Sequence, residues 1–322
     1  MEINSRNVRQ WSRLGPRGVF GQAILAIAPE YDNLMVMSAD LASSSGLERF
    51  KNTFPEKFVN AGIAEQNMIG VASGLAKEGF NVFASSFSPF IALRASEQVR
   101  MNLGYMKMNV KAVAIGSGIG MGFLGNSHFG LEDVAVMRTI PGLTIVNPAD
   151  CAEVVKVVEA AANFNGPMYI RLTGTANCPI VYKDDYDFEI GKSITLNEGD
   201  DLTILACGSM VHESLKAAEV MEQQGIHATV VNMHTIKPLD TVTLEKAIAL
   251  GKPIITIEEH SKIGGLSSAI AEYLSPLGLA IKHLTISLPD AYITTGEYRF
   301  MLEQQGLDSA SIVDKIMTFL DR

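Results

Sequence analysis

Residues 111–130 read KAVAIGSGIGMGFLGNSHFG. The run 111–115 is short and dominated by apolar residues, as in a buried strand. It breaks at Gly116 into a glycine-rich loop that continues to Gly130. A strand ending this way suits an open parallel sheet, where ligands sit in loops at the carboxyl ends of strands. The same rhythm recurs on both sides. Upstream, strands at 34–38 and 81–84 alternate with helices at 19–28, 64–77 and 90–103. Downstream come a strand at 143–146, a helix at 149–162 and a strand at 168–172. That helix is expected to be capped by Asn147, with Pro148 in its first turn.

Residues 173–200 interrupt the pattern with Gly, Pro179 and several Asp and Tyr. They read as an inter-domain linker holding an irregular strand. Alternation then resumes. Strands at 202–207, 228–232, 253–258 and 282–285 are separated or followed by helices at 212–223, 242–249, 266–274 and 309–320. Strands joined by helix-length segments imply mainly parallel sheets. The expected fold is therefore α/β, with two Rossmann-like three-layer α/β/α domains. They occupy 1–180 and 201–322, with a linker at 181–200.

The length of 322 residues suits two domains, and 47% hydrophobic residues suffice for two cores. A formal net charge of -9 argues against nucleic acid as the main partner. The three cysteines, Cys151, Cys178 and Cys207, lack C-x-x-C spacing and read as buried reduced thiols. No apolar run is long enough for a membrane span, and a cytoplasmic setting is expected. The six histidines show no metal-ligand spacing, so no metal held by this chain alone is expected.

Three loops concentrate candidate chemistry: DLASSSG at 40–46, NAGIAEQ at 60–66 and the 116–130 loop. Glu65 opens a helix. An acid there complements the helix dipole, or it serves as a buried carboxylate that hydrogen-bonds a ring nitrogen. Phe87 and Phe90, in SSFSPF at 85–90, follow a strand end. They suit core packing, or stacking on a flat heterocycle. His128 ends the glycine-rich loop. Arg17, Arg171 and the Ser43–Ser45 run are candidate anion ligands, because a guanidinium fork matches a phosphate.

Taken together, these segments resemble the transketolase family. GIAEQN at 62–67 is similar to its thiamine-pyrimidine signature. Phe87 to Phe90, His128, RTIPGL from Arg138, NPAD at 147–150, EEH at 258–260 and Gly264-Gly265 follow in the family's order. The resemblance spans nearly the whole chain. It implies a thiamine-diphosphate-binding pyrimidine domain followed by a transketolase C-terminal domain. It also implies transfer of a two-carbon ketol unit from a ketose phosphate to an aldose phosphate. Glu65 then matches the glutamate at the cofactor's pyrimidine N1′, which promotes the tautomer that takes up the thiazolium C2 proton. Phe90 matches the stacking ring, Phe87 lines the same pocket, and Asp40 lies near the cofactor. Arg17, Ser44 and Arg171 match the grip on the substrate phosphate, and His128 the histidine facing the reacting hydroxyls.

Two positions depart from the family. Leu124 stands where an aspartate is usual, and Gly116 where a histidine is usual. A buried hydroxyl left without a partner costs roughly 1–3 kcal/mol. The departures therefore point to a modified ketose, branched like apulose 4-phosphate or sulfonated. The family's G-D-G diphosphate motif is missing from this chain. The resemblance thus implies a partner subunit carrying the diphosphate-binding domain and most contacts to Mg2+, in an α2β2 assembly. Other readings are the β subunit of a 2-oxo-acid dehydrogenase, a deoxyxylulose-phosphate synthase-like enzyme, and a non-catalytic scaffold subunit.

Overall fold

The computed structural model describes residues 1–321. It contains two mostly parallel sheets flanked by helices, as the alternation predicts. The strands are β1 Leu34–Ser38, β2 Phe58–Asn60, β3 Asn81–Phe87, β4 Val110–Ser117, β5 Thr144–Val146 and β6 Met168–Thr173. They continue with β7 Ile194–Asn197, β8 Leu202–Ala206, β9 Ala228–Asn232, β10 Thr235–Lys237, β11 Ile254–Ser261 and β12 His283–Leu288. The larger sheet runs β10-β5-β6-β4-β3-β1-β2 and the smaller β12-β11-β8-β9-β7. β3 and β4 are buried along their whole length, which explains their runs of small and apolar residues.

Several local expectations change. The helix Cys151–Asn163 is capped by Asp150, not Asn147; the Asp150 side chain accepts the Glu153 N–H at 2.9 Å. Its other oxygen accepts the Val181 and Tyr182 N–H groups at 2.8 and 2.9 Å. The cap therefore also pins the start of the stretch read as a linker. Within that stretch, β7 is an antiparallel edge strand on β9. β10 has no counterpart among the expected strands. It leaves the second half of the chain and pairs antiparallel with β5 in the first sheet. Three residues are too few to show a period, and its partner lies far away in sequence.

A helix at Ser5–Leu14 is likewise additional. Asn4 caps it, and only Val8 and Trp11 are buried, so its apolar stripe is too thin to show in the sequence. The helix expected at 90–103 is present with wider, π-type turns at Phe90–Arg94 and Val99–Tyr105. Such turns often accompany functional sites. Among the described residues, no helix is long and apolar enough to cross a membrane.

Candidate active site

Parallel pairing aligns the carboxyl ends of the central strands. Ser38 of β1 lies beside Asn60 of β2 and Ser85 of β3, and Phe87 of β3 lies beside Ile115 of β4. The loops following these strands therefore meet at one edge of the sheet. Asn60 joins two of them: its side chain exchanges hydrogen bonds with Asp40, both at 3.0 Å, and accepts the Gly62 N–H at 3.1 Å. Asp40 is exposed and sits at φ 60°, a left-handed corner that Asp tolerates better than most residues.

Glu65 opens the helix Glu65–Lys77 and is 2% exposed. Its Oε2 accepts from Arg94 Nη1 at 2.8 Å, and its Oε1 from Ser86 Oγ at a long 3.4 Å. Arg94 is half exposed, and its guanidinium lies 4.3 Å from the centroid of the Phe90 ring. Phe87, Phe90 and His128 form a mutual edge-to-face cluster. Their centroids are 5.7 Å apart for the two Phe rings and 5.3 Å from each to His128. His128 Nδ1 lies 2.9 Å from Ser127 Oγ, a contact that fixes the ring's orientation. A buried carboxylate beside three flat rings is a pocket suited to a heteroaromatic ring with a basic nitrogen.

Arg94 and Ser86 join the site without having been candidates in the sequence. An arginine four residues after Phe90, within an otherwise apolar helical stretch, is the available signal for the first. Ser86 has no signal apart from its strand.

Arg17 is half-buried near the start of the helix Pro16–Ile27, and burial lowers its pKa. The 40–46 loop packs on that helix so closely that a Cβ on Gly46 would sit 2.7 Å from the Arg17 carbonyl. This brings the half-buried Ser44 into the same neighbourhood. Arg17, Met121, Leu124, Asn177 and Tyr298 line a cleft of about 740 Å³ between the two halves of the chain. Leu124 is half exposed there. Gly116 sits at φ 64°, and a Cβ on it would be 2.3 Å from Met121 Sδ. Met121 thus fills the space that a larger side chain at 116 would need.

Arg171 requires a correction. Expected to grip a substrate phosphate, its side chain is instead fully buried inside β6. Nε donates to Asp133 Oδ2 at 2.8 Å, and Nη2 donates to the Gly130 and Glu259 carbonyls at 3.0 and 2.9 Å. Burial alone would raise the Asp133 pKa. The charges of Arg171 and His260, with hydrogen bonds from Arg171 and Ser88, outweigh it and hold the carboxyl low. The pair is an internal ion pair that ties the first unit to the second, and it leaves no fork for an external anion.

Glu258 accepts the Leu266 and Ser267 N–H groups, which caps a helix. Gly264 and Gly265 permit close packing: a Cβ on the first would be 2.4 Å from Ala135 Cβ, and on the second 2.0 Å from Glu258 Oε2. Among the described residues, no group of three His, Cys, Asp or Glu could hold a metal ion.

Comparison with known proteins places this geometry. Residues 14–177 match the family described as transketolase, pyrimidine binding domain, and 191–312 that described as transketolase, C-terminal domain. One of the two subunits of the apulose-4-phosphate transketolase of Phocaeicola vulgatus is 36% identical over 307 residues, covering 95% of this chain and 97% of that protein. The 6-deoxy-6-sulfo-D-fructose transketolase subunit of a Clostridium species is 37% identical over 297 residues, 92% of each chain. A solved structure described as a split gene transketolase, inactive beta4 tetramer, is similar with a TM-score of 0.86 and 38% identity. The match covers 96% of this chain and 98% of that one.

Proposed function

The chain belongs to the transketolase family, and from that premise we infer that it is one subunit of a split, thiamine-diphosphate-dependent transketolase. The observation that carries this reading is the buried Glu65 carboxylate beside Phe87, Phe90 and His128. When bound, thiamine diphosphate supplies the nucleophilic carbon that takes up the two-carbon ketol unit. In this reading Glu65 holds and exchanges a proton at the pyrimidine ring, Phe90 and Phe87 bound the ring, and Asp40 closes the near edge. Arg17 and Ser44 face the substrate's anionic end, and His128 orients its hydroxyls. The residues present fit the ring of the cofactor. Mg2+ and the diphosphate fall to a partner subunit, in an α2β2 assembly in the cytoplasm. The proposed domains are 1–180 and 201–322, joined by 181–200.

The half-exposed Leu124 and the filled space beside Gly116 favour a donor other than an ordinary pentose phosphate. The names of the two relatives, one for a branched sugar and one for a sulfonated sugar, support the same direction. A 2-oxo-acid dehydrogenase β subunit has less support, because these relatives carry transketolase names. The test is a donor screen with the assembled pair of subunits. Apulose 4-phosphate or a 6-sulfo-ketose is expected to exceed xylulose 5-phosphate in kcat/KM by at least tenfold. Best turnover with xylulose 5-phosphate would contradict the modified-ketose reading.

A further inference from the structure

We infer that Glu259, contributed by the second unit, is a positioning residue that clamps the glycine-rich loop carrying Leu124 and His128. The inference rests on the reading of that loop as part of the substrate site. It gives the C-terminal domain a task in the reaction, although none of the ring-binding side chains comes from it.

The loop closes on itself through paired backbone bonds between Gly118 and Gly130, at 3.1 and 2.9 Å. At that base, Glu259 Oε1 accepts the Ile119 N–H at 2.7 Å. Its Oε2 accepts from Tyr298 Oη at 2.6 Å and from Ser209 Oγ. The Glu259 carbonyl receives Arg171 Nη2, which also holds the Gly130 carbonyl. The sequence leaves space for this carboxylate: a Cβ on Gly118 would lie 2.1 Å from Glu259 Oε1. Gly118 therefore has two reasons to be glycine, its φ of 65° and the incoming acid.

The loop's tip is held from the same side. Asn126 donates to the Ile293 carbonyl at 2.9 Å and accepts the Ile293 N–H at 3.2 Å. A Cβ on Gly125 would touch Thr295 at 2.6 Å. Base and tip are thus fastened to the second unit, and the Leu124–His128 segment is suspended between them. Glycine-rich backbone has large conformational freedom to lose, so an outside clamp decides how well such a loop is ordered.

The variants are Glu259→Ala and Glu259→Gln, assayed with the partner subunit. Glutamine keeps an oxygen for Ile119, and its amide nitrogen can donate to the Ser209 and Tyr298 hydroxyls. Burial raises the Glu259 pKa, which makes a neutral amide a close mimic. Glu259→Ala is expected to raise KM for the ketose donor at least tenfold, with cofactor Kd within twofold of the parent. Glu259→Gln is expected to stay within threefold in both. Hydrogen exchange in 117–130 should accelerate at least tenfold in Glu259→Ala and not in Glu259→Gln. Unchanged exchange and KM in Glu259→Ala would overturn the inference. If Glu259→Ala does not fold, the parent chain decides: slow exchange of the Ile119 amide supports the clamp, and exchange as fast as an unbonded amide overturns it. Accelerated exchange in a protein that turns over no ketose would support the clamp while overturning the functional reading.

Discussion

Glu65→Gln is expected to lower kcat of the assembled enzyme by about 10²–10⁴-fold, the usual worth of a positioned acid–base group. The amide preserves the side chain's size and still offers an oxygen. It cannot exchange a proton with a ring nitrogen. The substitution also weakens the contact with Arg94, whose side chain is 48% exposed. A half-exposed pair contributes roughly 0–1 kcal/mol, so folding and assembly should be nearly unchanged. The prediction therefore separates chemistry from structure, and kcat and the melting temperature should be measured on the same preparation. A scaffold subunit would give the opposite pattern, with the activity of the complex indifferent to the change.

Asp133→Ala is expected to destabilise the chain by about 3–5 kcal/mol, through the Arg171 charge it strands. Arg171 is fully buried, and its Nε bonds directly to the Asp133 carboxylate. Tyr169 Oη also donates to Asp133 at 2.9 Å and would lose that partner. Water cannot reach either group to compensate. Denaturant titration of the single variants and of the Asp133→Ala/Arg171→Met double variant measures the coupling. The double variant should recover part of the loss, because removing both charges leaves neither one buried alone. Equal stability of Asp133→Ala and the parent would show that the pair does not hold the two units together.

The same pair shows where sequence reading fails. Arg171 follows apolar residues in a strand, and arginine in that position is compatible with either an anion site or an internal partner. Its partner, Asp133, lies 38 residues earlier and carries no local signal. The alternating strands and helices are legible because each is long enough to show its period, as in Glu65–Lys77 and Leu34–Ser38. β10 and the Asp150 cap are not. One is a three-residue strand whose partner is remote, and the other is chosen by local geometry among Asn147, Asp150 and the intervening proline. Glu65, Phe87, Phe90 and His128 are legible as candidates. Their assembly into one cluster depends on parallel register across β1 to β4, which no single segment encodes. Arg94 escapes sequence reading because its meaning lies in two contacts, to Glu65 and to the face of Phe90.

The split site is the central claim, and calorimetry tests it directly. Thiamine diphosphate in Mg2+ is titrated into this chain alone, and into this chain mixed with the subunit that carries the diphosphate-binding domain. The account predicts saturable binding by the pair and at least 100-fold weaker binding by the chain alone. Tight binding by the isolated chain would contradict it and place the diphosphate site within these 322 residues.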